Sequence, residues 1–167
     1  MGEVLTPAKQ AMHTSETRFR ARYSETDKMG VIYYANYLVW MEMGRTDYCK
    51  SVGFDYRDME LDGANMAVAE ATCRYITPAR YDDAILVQTQ VERLNRRLIT
   101  FTYLISNEQS GTVLAEGRTV HIAVGNDGKS MFIPKRYLDL MKAAAGSGGD
   151  VHVGKIFGSN SSPEGRG

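Results

Sequence analysis

Apolar and polar positions alternate from Thr17, with Phe19, Ala21 and Tyr23 on one side and Arg18, Arg20 and Arg22 on the other. A period of two predicts a half-buried strand whose arginines lie on the solvated face. The period then lengthens. Between about Tyr34 and Val52, residues Tyr37, Trp40, Met41, Gly44 and Tyr48 recur at three- and four-residue steps. This predicts a long helix of roughly five turns with one apolar stripe. Gly44 in mid-helix costs up to ~1 kcal/mol in propensity relative to alanine, which is tolerable where a helix lies close against a sheet. Gly53 suits the end of that helix. Residues 54–65, rich in acids and containing Asp62-Gly63, are expected to form a connecting loop.

Four more alternating segments follow. Ala67, Ala69, Ala71 and Cys73 alternate with Val68, Glu70, Thr72 and Arg74, so one face carries only small side chains. Such a face would accept a bulky helix. Ile85, Val87, Thr89 and Val91 define the next strand, Leu94 to Leu98 a hairpin turn, and Ile99, Phe101, Tyr103 and Ile105 the strand after it. A turn near Asn107–Gly111 leads into a strand over 112–124, which Asn126-Asp127-Gly128 ends. Pro134 then opens a short helix from Lys135 to about Ala144. Strand, long helix and four strands joined by turns make an α+β plan: an antiparallel sheet wrapped around one helix. Residues 1–14 read as a flexible lead-in, 15–145 as the folded domain, and 146–167 as a flexible Gly/Ser-rich tail.

Length fits one domain, since 167 residues can bury a sizeable core. Lysine and arginine total 20 against 20 acids, so no global field draws the chain to nucleic acid. No apolar run approaches the ~20 residues of a membrane-spanning helix, and the expectation is a cytoplasmic protein without a membrane partner. Cys49 and Cys73 have no second ligand at metal spacing and read as small apolar residues of a reducing compartment, so no metal is expected. Gly128-Lys129-Ser130 lacks the upstream glycine of a phosphate loop, because position 123 is Ala123.

The chemistry concentrates between Tyr23 and Val52. Asp27 precedes Met29-Gly30-Val31, and Tyr33-Tyr34-Ala35-Asn36-Tyr37, Trp40, Glu42 and Arg45 follow. Gly30 can adopt positive φ and is the natural corner for a reversal into the helix. A carboxylate near a helix N-terminus places a base beside backbone N–H groups that lack intrahelical partners. Such a pair can activate water or attack a carbonyl while stabilising the developing oxyanion. On residues alone, the turn or helix-entry role is the favoured reading of Asp27.

This stretch, with Pro78-Ala79-Arg80-Tyr81-Asp82-Asp83, resembles the 4-hydroxybenzoyl-CoA thioesterase-like hotdog-fold acyl-CoA thioesterases over roughly residues 16–140. The resemblance implies a hotdog fold and hydrolysis of an acyl-CoA thioester. It places the catalytic carboxylate at Asp27, as nucleophile or general base, and the carbonyl-polarising backbone N–H at Tyr34. It also implies a homodimer or homotetramer with the site shared between protomers, and no cofactor, coenzyme A being part of the substrate. Gly30, Val31, Tyr33, Asn36 and Tyr37 are the expected substrate-binding neighbours, with Arg96 and Arg97 on the hairpin as candidates for the coenzyme A phosphates. Arg74 and Arg93 are further candidates.

Two other readings of the same plan remain open: an acyl carrier protein thioesterase, and a non-catalytic acyl-CoA-binding protein. Glu42 is the rival acid, since a second hotdog lineage carries a glutamate on the central helix. Arg45 at i+3 is a ready ion-pair partner for it, which favours a structural role. His121, alone among small strand residues, reads as a satisfied strand histidine.

Overall fold

The computed structural model describes residues 12–146 and the backbone of 151–152. Most of the expected lead-in and tail therefore lies outside the described residues. Strand β1 (Ser15–Arg20) is followed by a 3-10 turn over Tyr23–Glu25 and the long helix α1 (Asn36–Ser51). A short helix α2 (Tyr56–Leu61) precedes strands β2 (Asn65–Tyr75), β3 (Ala84–Leu94), β4 (Leu98–Asn107) and β5 (Val113–Val124). Helix α3 (Lys135–Ala145) and a two-residue strand β6 (Val151–His152) complete the order. The sheet runs β1-β3-β4-β5-β2, with every neighbouring pair antiparallel. β6 extends the β1 edge by pairing with Arg93 and Leu94 of β3, a contact the aperiodic tail does not predict.

The alternation of β3 and β4 sets the core. Ile85, Val87, Thr89 and Val91, with Ile99, Phe101, Tyr103 and Ile105, are fully buried, and α1 lies on that face. The helix meets them with Tyr37, Trp40, Met41, Gly44 and Tyr48, the stripe expected from the sequence. Burying each such side chain contributes on the order of 1.5–3 kcal/mol.

The sequence reading needs three corrections. Strand β1 stops at Arg20, and Tyr23 is 76% exposed in the 3-10 turn rather than continuing the inward face. The loop expected over 54–65 contains α2. Its N-terminus is closed reciprocally, the Asp55 carboxylate accepting from Arg57 N–H and the Asp58 carboxylate from Asp55 N–H.

The small face of β2 is broken by a bulge between Val68 and Glu70. The extra residue changes the side on which later residues point, so Met66 and Val68 share the helix face with Ala71, Cys73 and Tyr75. Strand β2 skips its chain neighbour β3. It crosses to β5 and forms the sheet edge, mostly exposed, its outer edge unpaired among the described residues.

Candidate active site

Asp27 sits in a tight turn fixed by its own main chain and side chain. Its N–H donates to Val31 O at 2.8 Å, and its carbonyl accepts from Gly30 N–H at 3.0 Å. One carboxylate oxygen, Oδ1, accepts from Met29 N–H at 2.8 Å, and Oδ2 receives no hydrogen bond from the described residues. Gly30 holds φ +77°, a conformation that costs L-residues with a Cβ, so the glycine is required by the turn. The reversal does not enter α1 directly. Val31 and Ile32 first bridge to the β2–β3 connection, with Ile32 N–H donating to Ala79 O at 2.8 Å.

Tyr33, Tyr34 and Ala35 then form the turn that starts α1. Asn36 N–H donates to Tyr33 O at 2.9 Å and Leu38 N–H to Ala35 O at 3.1 Å. Ala35, the N-cap, supplies no side-chain acceptor. The Tyr34 N–H, one residue before the N-cap, has no acceptor among the described residues. The Tyr34 carbonyl, by contrast, accepts from the Tyr75 hydroxyl at 2.9 Å, which ties this turn to the end of β2.

Asp27 and Tyr34 line one cleft of about 250 Å³, together with Val31, Tyr37, Tyr75 and Pro78. Tyr37 is 2% exposed, and its hydroxyl accepts from Ala79 N–H at 3.0 Å, so it forms a rigid inner wall. Three expected neighbours have other places. Gly30 is exposed and shapes the Asp27 turn without lining the cleft. Tyr33 is 45% exposed outside it, its ring 4.6 Å from that of Tyr34. Asn36 points its amide to the Glu25 carbonyl at 2.8 Å and belongs to the frame behind the cleft.

Arg96 and Arg97 are not brought to this cleft within one protomer. The cleft lies where Tyr75 pairs with Ala115 and Ala115 with Ile105. The arginine hairpin lies beside Leu98, which pairs with Ile122, itself paired with Ala67. Roughly 25 Å of strand separates the two ends at ~3.3 Å per residue. At their own end both guanidinium groups stack on Phe132, at 4.0 and 4.5 Å from its ring centre. Arg74 is ion-paired with Glu116 at 2.6 Å.

The rival groups are also placed. Glu42 is exposed, away from the Asp27 cleft, and makes no ion pair among the described residues, so the expected partnership with Arg45 is absent. It lines a separate cavity of about 230 Å³ with Arg45, Tyr56 and His121. His121 is 1% exposed and hydrogen-bonded to Thr119 Oγ1 at 2.8 Å, and burial with the nearby Arg45 charge pushes its pKa down to about 4. Burial pushes the Cys49 thiol up to about 12, the opposite of what a nucleophilic thiol needs.

The sequence model of the thioesterase superfamily matches residues 29–114. The chain belongs to the thioesterase superfamily. It is 39% identical over 116 residues to the protein named "Putative acyl-CoA thioesterase YneP" of Bacillus subtilis (strain 168), covering 70% of this chain and 83% of that one. It is 30% identical over 115 residues to the acyl-CoA thioester hydrolase YbgC of Escherichia coli O157:H7, covering 68% and 85%. Among solved structures, the DHNA-CoA thioesterase of Staphylococcus aureus superposes with TM-score 0.73 at 36% identity, covering 78% of this chain and 87% of that one. The hotdog fold and the class of thioester hydrolase follow. No described helix of this family member is long and apolar enough to cross a membrane.

The sequence reading missed Tyr75, which lines the cleft, and Glu25, whose carbonyl braces the turn beside it. Tyr75 reaches the cleft only because β2 crosses to the sheet edge, which no local period reports. Glu25 was overlooked although it stands in the motif, because an acid among polar residues reads as solvated. It is 5% exposed.

Proposed function

We propose that this member of the thioesterase superfamily hydrolyses acyl-CoA thioesters, with Asp27 as nucleophile or general base and the Tyr34 N–H as the donor to the thioester carbonyl. The observation that carries the reading is the shared cleft. Among the described residues, one wall residue offers a carboxylate oxygen free of hydrogen bonds and another a backbone N–H without an acceptor. A thioester carbonyl is a good electrophile and a thiolate a good leaving group, so these two groups suffice without a serine–histidine pair. The N–H meets negative charge only as it develops on the carbonyl oxygen, which directs its effect to the transition state. No cofactor takes part in this scheme. The names of YneP and YbgC point to coenzyme A as carrier.

The cleft lies beside the exposed end of β2, and the outer edge of that strand is open among the described residues. Pairing two such edges antiparallel would continue the sheet through a homodimer and remove an aggregation-prone edge. It would also bring the opposite end of the partner's sheet, with its arginine hairpin, towards the cleft. Arg96 and Arg97 are then proposed to meet coenzyme A phosphates across the interface. The test is thiol release, followed with a chromogenic thiol reagent, over short aliphatic, long aliphatic and aromatic acyl-CoAs. Turnover of at least one series supports the reading. Binding without thiol release from any of them would favour an acyl-CoA-binding protein, and turnover of acyl carrier protein thioesters alone would replace the carrier.

A further inference from the structure

Glu25 is a buried acid that the chemistry above does not use. A carboxylate in such surroundings is costly unless donors meet its charge, and three do. Oε2 accepts from Arg22 N–H at 2.7 Å, and Oε1 accepts from the Trp40 indole at 3.0 Å and the Arg22 guanidinium at 3.2 Å. Burial alone would raise its pKa, but the bonds from Arg22 N–H, Trp40 and the Arg22 guanidinium outweigh it and hold the acid below its ordinary value. Trp40 is fully buried in the second turn of α1, so the side chain of Glu25 is fastened to the helix body.

The main chain of the same residue is fastened elsewhere. Its carbonyl accepts from Tyr33 N–H and from Asn36 Nδ2, both at 2.8 Å. One residue thus stands two positions before Asp27 and holds the turn whose next N–H is that of Tyr34. Among the described residues, the segment between β1 and α1 forms no ladder, only isolated bridges at Thr26–Ile32 and Val31–Arg80.

We propose that Glu25 is a positioning residue that sets the distance between the Asp27 carboxylate and the Tyr34 N–H. The proposal rests on the roles assigned to those two groups. Its physical basis is that reacting groups must be held to a fraction of an ångström, and a misplacement of ~1 Å costs up to ~100-fold in rate. A residue that only satisfied the Trp40 indole would affect melting and leave turnover of the folded enzyme intact.

Glu25→Gln and Trp40→Phe separate these outcomes in the full-length protein, assayed below the melting temperature of each variant. Both should lower kcat by ~10–100-fold while KM moves by less than about threefold. Placed in an Asp27→Asn background, Glu25→Gln should lower kcat no further, since there is no carboxylate left to position. Trp40→Phe leaves the acid in place and carries the test alone if Glu25→Gln does not fold. Folded variants with kcat within about twofold of the parent overturn the proposal, as does an equal loss in both backgrounds. A crippled Asp27→Asn beside an active Glu25→Gln sinks only this inference. An unimpaired Asp27→Asn sinks the catalytic assignment as well.

Discussion

Gly44 of α1 faces Thr89 of β3 so closely that a Cβ on the glycine would lie 2.5 Å from Thr89 Oγ1. The same Cβ would lie 2.9 Å from Val87 Cγ1. Both neighbours are β-branched and stiff at χ1, so neither can swing aside cheaply. This contact explains why a glycine sits in mid-helix at a place where alanine would gain up to ~1 kcal/mol in propensity. Overpacking of a closed core costs ~1–3 kcal/mol and outweighs that gain. Gly44→Ala should therefore destabilise the protein, read as a lower denaturant midpoint at unchanged m-value. A midpoint equal to or above the parent would show that the helix can lift from the sheet.

How far the sequence reported this fold depends on the range of the interactions. The stripe Tyr37, Trp40, Met41, Gly44 and Tyr48 and the alternation of β3 and β4 are local periods, and they appear as expected. The bulge in β2 inserts a single residue, which leaves the apparent alternation intact while exchanging its faces. Helix α2 was hidden by its acids, although Asp55 and Asp58 stand at the spacing of a capping pair. Asp27 and Tyr34 stand in one motif and line one cleft. The cleft was not legible, because Tyr75 and Pro78 join it only through the crossover of β2.

His121 gives the protein a pH dependence of definite sign. Unfolded, its imidazole binds a proton near pH 6.5; folded, it resists protonation until about 4 because burial and Arg45 disfavour the cation. Its contribution is thus fully present above about pH 6.5 and is lost as pH falls towards 4, up to about 3 kcal/mol in all. The window from pH 6.5 to 5 lies above the range in which carboxylates dominate. Urea unfolding across it should show falling stability in the parent and a flatter profile in His121→Gln. Identical slopes would mean that the folded histidine takes up its proton as readily as the unfolded one.

The open edge of β2 bears on assembly. Val68 is 53% exposed there, and Leu38 and Val39 of α1 are 40% and 45% exposed. A second copy joined along this edge would cover strand and helix faces together. Sedimentation equilibrium at micromolar concentration should give a dimer or a tetramer built from it. A fully active monomer at that concentration would separate the cleft from any partner and remove the proposed role of Arg96 and Arg97.

Asp27→Asn tests the chemistry with the least disturbance to shape. The amide oxygen can still accept from Met29 N–H, so the turn should survive, while the charge and the basic lone pairs are gone. If Asp27 is nucleophile or general base, kcat should fall at least ~100-fold with little change in KM, because the lost interaction belongs to the transition state. If it only closes the turn, the cost is at most ~1–2 kcal/mol of stability, with turnover of the folded enzyme retained. Glu42→Gln is the matched control. Glu42 is exposed, unpaired among the described residues and outside the cleft, so its substitution should leave kcat close to that of the parent. The rival mechanism demands the reverse ranking, and the two variants assayed side by side on the best acyl-CoA decide between them.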